Sequence, residues 1–122
     1  MLRIRPALAA VAVAALAAIP AAQAIQTAQA STTLKGVVGP GFTITLTSGG
    51  KKVTKLKAGT YVIKVSDKSN IHDFHLSGPG VNKSTTVPGT GGKTWTVKLK
   101  KGKYTYVCDP HASSMKGSFT VT

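Results

Sequence analysis

Short runs of apolar residues alternate with polar residues from Thr33 onward, and glycine or proline interrupts them roughly every eight to twelve residues. No stretch in this region keeps the period of about 3.6 residues that marks an amphipathic helix. Strict alternation places one side of a strand in a core and the other side in solvent. The pattern therefore predicts an all-β fold, a Greek-key antiparallel β-sandwich of about seven to eight strands.

One hairpin can be placed from the sequence. Phe42, Ile44 and Leu46 alternate with threonines. The run stops at a Ser-Gly-Gly segment, residues 48–50, and the pattern resumes over residues 51–56. Glycine pairs between two alternating runs are typical of hairpin turns. The other predicted strands cover residues 33–38, 61–65, 71–76, 95–99, 104–108 and 119–121.

The first 30 residues have a different composition from the rest. Two arginines lead into an alanine-rich apolar run, Ala7 to Ile19, which is the layout of a secretory signal peptide. Small-x-small patterns end at Ala24 and at Ala30 and predict cleavage after one of them. An uncleaved membrane anchor is the alternative, although the run is shorter than the roughly 20 residues of a bilayer span. We expect residues 31–122 to form one exported domain, periplasmic or extracellular.

The chain is strongly basic, with a formal net charge of +13 at pH 7. Lysines carry nearly all of this charge, and glutamate is absent. A surface of this kind attracts anionic partners, although scattered lysines also serve solubility. Arginine is absent after the first segment and no aromatic-basic cluster is visible, so nucleic acid is not an expected partner.

Cys108 is the single cysteine of the sequence, so an internal disulfide is impossible. An exposed free thiol in an oxidising compartment would be vulnerable to oxidation. We therefore expect Cys108 to be buried, bonded to another chain, or bound to a metal.

A short window near the C-terminus carries three types of soft-metal ligand. Cys108, His111 and Met115 form the pattern Cys-x2-His-x3-Met. A second nitrogen ligand could come from His72 or His75, which lie in one upstream segment. Thiolate, two imidazoles and a weak thioether are the donors of a blue-copper electron-transfer site.

Strand parity distinguishes the two upstream histidines. Phe74 and Leu76 are the apolar residues of the predicted strand, and side chains two positions apart share a face. His72 should then point into the core, whereas His75 should face solvent. The parity predicts His72 as the ligand and leaves His75 as the alternative.

Several segments together resemble one known family. The segments are Lys57-Ala58-Gly59-Thr60-Tyr61-Val62-Ile63, His72-Asp73-Phe74, the run from Gly102 to His111, and Met115-Lys116-Gly117. They resemble the plastocyanin and azurin branch of the cupredoxins across nearly the whole predicted domain. The sequence departs from that family in two places: the methionine is one residue closer to the histidine than in plastocyanin, and Asp73 replaces the usual asparagine.

The resemblance implies a function. It implies one type 1 copper ion per chain, a monomer, and a one-electron carrier that is not an enzyme. The chain has only three histidines, too few for the further copper ions of an oxidase. Implied partners are redox proteins with acidic docking surfaces, such as a cytochrome or an oxidase domain, and peripheral association with a membrane is compatible with this role. The implied copper ligands are His72, Cys108, His111 and Met115.

Two alternative functions are also compatible with the sequence. The same ligands could store or deliver copper instead of passing electrons. A metal-free β-sandwich could instead bind anionic surface polymers through its lysines.

The resemblance also implies a contact beside Cys108. In the resembling proteins the asparagine at the position of Asp73 is tied to the residue after the cysteine, here Asp109. Two carboxyl groups are therefore expected to lie close together beside Cys108.

Overall fold

The computed structural model describes residues 31–122, so the predicted signal peptide and its cleavage sites lie outside the described residues. Within the described part, no helix is long and apolar enough to span a bilayer. The elements are β1 (Thr32–Val38), β2 (Ile44–Ser48), β3 (Lys51–Lys52), β4 (Lys55–Leu56), β5 (Gly59–Asp67), β6 (His75–Gly78), β7 (Val81–Ser84), β8 (Gly91–Leu99), β9 (Gly102–Val107), a 3₁₀-helix (Asp109–His111) and β10 (Lys116–Val121).

The strands form two five-stranded sheets, with the orders β3-β2-β1-β5-β8 and β4-β10-β9-β6-β7. The sandwich expected from the sequence is confirmed. The described strands number ten instead of seven or eight because the predicted segment of residues 51–56 forms two short strands, β3 and β4, and because β7 was not predicted. The sheets are also mixed, since β1 pairs with β5 and β10 pairs with β4 in parallel. The chain crosses to the second sheet at β4 and returns as β5, which leaves β5 parallel to β1.

The apolar faces of both sheets form one core. Tyr104 and Tyr106 on β9 are fully buried, as the alternation predicted. The Tyr106 ring stacks on Phe74 with centroids 5.7 Å apart, and the Tyr104 ring stacks on Phe119 at 5.3 Å. Phe42 departs from the prediction because β2 begins only at Ile44, which leaves 63% of Phe42 exposed.

The connections divide between two ends of the sandwich. One end, which we call the Cys108 end, carries the loops of residues 39–43, 68–74, 85–90 and 108–115. The opposite end, which we call the far end, carries the turns at 49–50, 57–58, 79–80 and 100–101. The predicted hairpin is confirmed at the far end, where Gly49 and Gly50 have φ values of 56° and 81°, in the left-handed region that glycine tolerates.

Gly78 allows a close approach within the second sheet. A Cβ atom placed at Gly78 would overlap the ring of Tyr104. That ring cannot move aside easily, because its hydroxyl donates to the carbonyl of Pro79 and accepts from the N–H of Lys100. The absence of a side chain at Gly78 is therefore a packing requirement.

Gly78→Ala should lower the free energy of unfolding by about 1 to 3 kcal/mol, because the new methyl group overpacks a fixed ring. Gly92→Ala is the matched control, since a Cβ there meets only the Val65 carbonyl oxygen at 3.8 Å. Its effect should stay within about 0.5 kcal/mol. Urea denaturation of both variants is the measurement, and equal stability of the two would contradict this account.

Candidate metal centre

Three potential ligand atoms converge at the Cys108 end. The Nδ1 atoms of His72 and His111 lie 3.1 Å apart, and each is 3.5 Å from the sulfur of Cys108. His72 and Cys108 are fully buried, and His111 is half-buried. A point among the three atoms lies about 2 Å from each, which is the length of a metal–nitrogen bond.

The surroundings of His72 fit a cation better than a hydrogen-bond network. Its Nε2 atom is buried and has no hydrogen-bond partner among residues 31–122. Its Nδ1 atom has only the sulfur of Cys108 and the Nδ1 of His111 as close polar neighbours. Buried polar groups are usually paired. Two imidazole nitrogens and a sulfur directed at one point match the donor types that bind copper.

Backbone hydrogen bonds close the loop that carries the other ligand candidates. The N–H of His111 donates to the carbonyl of Cys108 at 3.0 Å, and the N–H of Met115 donates to the carbonyl of His111 at 2.8 Å. The N–H of Cys108 donates to the carbonyl of Met115 at 3.0 Å. Pro110 stands in the first turn of the 3₁₀-helix between them. The Cys-x2-His-x3-Met spacing thus forms a compact loop in which Met115 is buried.

The parity argument gives the correct burial for the two upstream histidines, but its strand is wrong. His72 is fully buried and His75 is half-buried. However, β6 begins at His75, so His72 lies in the preceding loop. Asp73 is also buried, against the alternation, because one of its carboxyl oxygens accepts the N–H of Asp109 at 2.6 Å.

A buried carboxylate that sequence reasoning missed holds this loop in place. One oxygen of Asp67 accepts the N–H of Ser69 at 3.1 Å, and the other accepts the hydroxyl of Thr85 at 2.9 Å. The oxygen of Thr85 in turn accepts the N–H of Phe74 at 2.9 Å. A signal was present in the sequence, since Asp67 falls on the same face of its strand as the apolar residues of β5.

The second carboxyl group, Asp109, lies between Asp73 and His75. Its carboxylate oxygens are 3.0 Å from Nδ1 of His75, whose Nε2 is 2.6 Å from the side-chain oxygen of Asn82. The hydrogen bond to Asp109, with that to Asn82, raises the pKa of His75. Burial, together with the hydrogen bond to Asp109, raises the pKa of Asp73 to about 6. The hydrogen bond from Asp73 lowers the pKa of Asp109.

The thiol of Cys108 is influenced by the same neighbours. Burial raises its pKa, and hydrogen bonds from the backbone of Asp73 and His111 lower it in part. Without a cation the balance favours the protonated thiol. Cys108 would give up that proton on holding a metal ion, because only the thiolate is a strong ligand.

Phe42 covers the two histidines from outside, a contact that the sequence did not reveal. Its ring meets those of His72 and His111 edge to face, with centroids 5.1 and 5.0 Å apart. The loop that carries Phe42 lies close to the His72 loop, since a Cβ at Gly39 would meet the Cβ of Ser69 at 2.9 Å. The half-buried imidazole of His111 therefore has an exposed aromatic neighbour at the surface.

Comparison with known families gives one match, over residues 20–122, to the model of copper binding proteins of the plastocyanin/azurin family. The match includes all four ligand candidates. A search of curated protein sequences finds no significant match.

Comparison with solved structures supports the same fold. Reduced rusticyanin is 22% identical, with 76% of this chain and 81% of that chain covered at a TM-score of 0.52. A chain of a heme-copper terminal oxidase dimer is 23% identical, with coverage of 80% and 68% and a TM-score of 0.54. A multi-copper oxidase from Pediococcus acidilactici is 15% identical, with coverage of 77% and 27% and a TM-score of 0.52.

Asp109→Asn in the metal-free protein should lower the pKa of His75 toward the ordinary value of about 6.5, which NMR titration measures. The ion pair exists only while His75 is protonated, so its stabilising effect is present below about 6.5 and disappears as pH rises through the raised pKa. The substitution should therefore cost more stability at pH about 5.5 than at pH about 9, by less than about 1 kcal/mol for a partly exposed pair. The unfolded protein supplies the reference pKa, and an unchanged His75 titration would contradict the contact.

Proposed function

Because the chain belongs to the plastocyanin/azurin family of copper-binding proteins, we propose that it is a type 1 copper protein that carries single electrons between exported or membrane-bound redox partners. One observation carries the proposal: the two histidine Nδ1 atoms and the cysteine sulfur converge within 3.1 to 3.5 Å of one another. The proposed ligands of one copper ion are His72, Cys108, His111 and Met115.

Each ligand has a distinct role in this proposal. Cys108, as thiolate, and the Nδ1 atoms of His72 and His111 hold the ion. Met115 adds a weak thioether, which tunes the reduction potential. When bound, copper supplies a one-electron couple between Cu(II) and Cu(I). The backbone-bonded loop of residues 108–115 and the Asp67–Thr85 network keep the ligands in place, so little rearrangement accompanies a change of oxidation state.

His111 is the proposed site of electron exit and entry. It is the half-buried member of the convergent group, whereas His72 and Cys108 are fully buried. The exposed ring of Phe42 lies directly against it. A partner that docks on this part of the Cys108 end would come close to the ion without exposing it to water.

Electron transfer is favoured over the alternatives. An oxidase would need further metal sites, and the sequence offers only one histidine, His75, beyond the proposed ligands. His75 is already engaged with Asp109 and Asn82. Copper storage or delivery would use the same ligands but would not require a reversible one-electron couple with rapid self-exchange, which voltammetry and NMR line widths measure. A metal-free, polymer-binding protein would stay colourless with copper(II).

The cellular setting is also part of the proposal. Residues 1–30 serve as an export signal cleaved after Ala24 or Ala30, and the domain of residues 31–122 acts as a monomer outside the cytoplasm. The partners are proteins with acidic docking surfaces, such as a cytochrome or an oxidase domain. The net positive charge supports this choice through long-range attraction.

The copper(II) protein should be intensely blue from thiolate-to-copper charge transfer, and Cys108→Ala should abolish the colour. His72→Ala should also remove it, because this buried imidazole faces the sulfur. His75→Ala is the matched control and should keep the colour, since its ring pairs with Asp109 instead. The visible spectrum of each copper-loaded variant decides. Colour retained without Cys108, or lost only without His75, would overturn the ligand assignment.

Docking near His111 should depend on the lysines of the Cys108 end. Lys68 and Lys116 are exposed there, one in the loop before His72 and one directly after Met115. Changing both to glutamine should slow electron transfer to an acidic cytochrome by about threefold or more at low ionic strength. Lys55→Gln with Lys101→Gln, a far-end pair of equal charge, should slow it less. Stopped-flow measurements at several salt concentrations give the electron-transfer rates of both variants. A rate that does not change with salt concentration would mean that these lysines serve solubility alone.

A further inference from the structure

Charge is distributed unequally between the two ends of the sandwich. All three carboxylate side chains of the sequence, Asp67, Asp73 and Asp109, lie at the Cys108 end. The far end carries exposed lysines on its turns and on the strand ends that adjoin them, with no carboxylate side chain among them. These far-end lysines are Lys51, Lys55, Lys57, Lys98, Lys100, Lys101 and Lys103.

The far-end lysines form no ion pair within residues 31–122. The one ion pair among residues 31–122 joins His75 and Asp109, at the other end. A group of like charges repels itself and gains stability when an anionic surface neutralises it. The far end is therefore suited to binding an anionic surface.

The apolar surface is at the opposite end from these lysines. Phe42 and Ile71 are the exposed large hydrophobic residues of the described chain, and both lie in loops of the Cys108 end. Specific protein interfaces usually contain aromatic or aliphatic side chains that become buried on binding. Within the described chain, the far end has no exposed large hydrophobic residue among its lysines. A purely basic surface matches a diffuse layer of negative charge, as on an anionic bilayer.

The N-terminal segment joins the domain at the far end as well. Ser31 and Thr32 line the same surface recess as Lys57 and Ala58. The preceding 30 residues include the apolar run from Ala7 to Ile19. An export segment before Ser31 is thus attached to the lysine-rich end of the domain until it is cleaved.

We propose that the far end binds anionic lipid headgroups peripherally, so that His111 and Phe42 point away from the bilayer toward partner proteins. This orientation separates two tasks of the basic surface. The far-end lysines hold the protein at the membrane, and the Cys108 end remains free to dock. The proposal is independent of whether copper is bound.

Co-sedimentation of the exported protein, isolated after its export signal has been removed, with vesicles tests the lipid assignment. Vesicles of equal parts phosphatidylglycerol and phosphatidylcholine should bind the protein in low salt, and phosphatidylcholine alone should bind it far less. A variant with Lys55, Lys57, Lys101 and Lys103 changed to glutamine should bind the anionic vesicles about tenfold or more weakly. The charge-matched control changes Lys35, Lys64, Lys83 and Lys93 to glutamine and should retain most of the binding.

A second measurement tests the orientation in the metal-free protein. A gadolinium-chelating lipid in anionic bicelles should broaden the amide NMR signals of Gly80 and Lys101 and leave those of Ala112 and Ser113 sharp. Broadening of residues 112–114 instead would overturn the orientation.

Equal loss of vesicle binding in the two charge-matched variants would show that only net charge matters and would overturn the far end as the binding site. Binding to polyglutamate without binding to anionic vesicles would show that the far end binds an anionic polymer and not lipid, and would overturn the lipid assignment.

Discussion

The arrangement of the Cys108 end depends on three lone-pair donors, two imidazole nitrogens and one sulfur, that are held together in a largely buried place. Two imidazole nitrogens and one sulfur lie within 3.5 Å of one another, and two of the three side chains are fully buried. Such a group lacks hydrogen-bond partners of its own, so the surrounding chain must hold it in position. The loop bonds at Cys108 and Met115, the carboxyl of Asp73 and the carboxylate of Asp67 meet that requirement.

Local patterns in the sequence predicted much of this arrangement because strands and tight loops are local structures. The alternation around Tyr104 and Tyr106 identified β9, and the Cys-x2-His-x3-Met spacing identified a loop that its own backbone bonds close. The parallel pairing of β1 with β5 was not predictable in this way, since it depends on where the chain crosses between sheets. Phe42 was misplaced because the alternation of β2 extends back into the loop that precedes the strand.

The charges show why composition alone gives an incomplete picture. A net charge of +13 indicates an affinity for anions but not which part of the surface provides it. In the folded chain the three carboxyl groups lie at the Cys108 end, where two of them are buried and serve as hydrogen-bond partners for loops. The far end consequently has lysines without acidic neighbours. The unequal charge of the two ends thus follows from the position of the three carboxyl groups, all of which lie at the Cys108 end.

Asp73 shows how the domain accommodates a carboxyl group where related proteins have an amide. The contact that matters, acceptance of the Asp109 N–H, needs only an oxygen, which either side chain provides. A second carboxyl group, Asp109, lies beside it, and two adjacent charges in a half-buried place would repel strongly. Burial raises the pKa of Asp73 to about 6, so this group becomes neutral at a higher pH than an exposed carboxyl, while a protonated His75 balances the charge on Asp109. His75 therefore has a structural explanation that does not involve the metal: its half-buried position lets it neutralise the residue that follows Cys108.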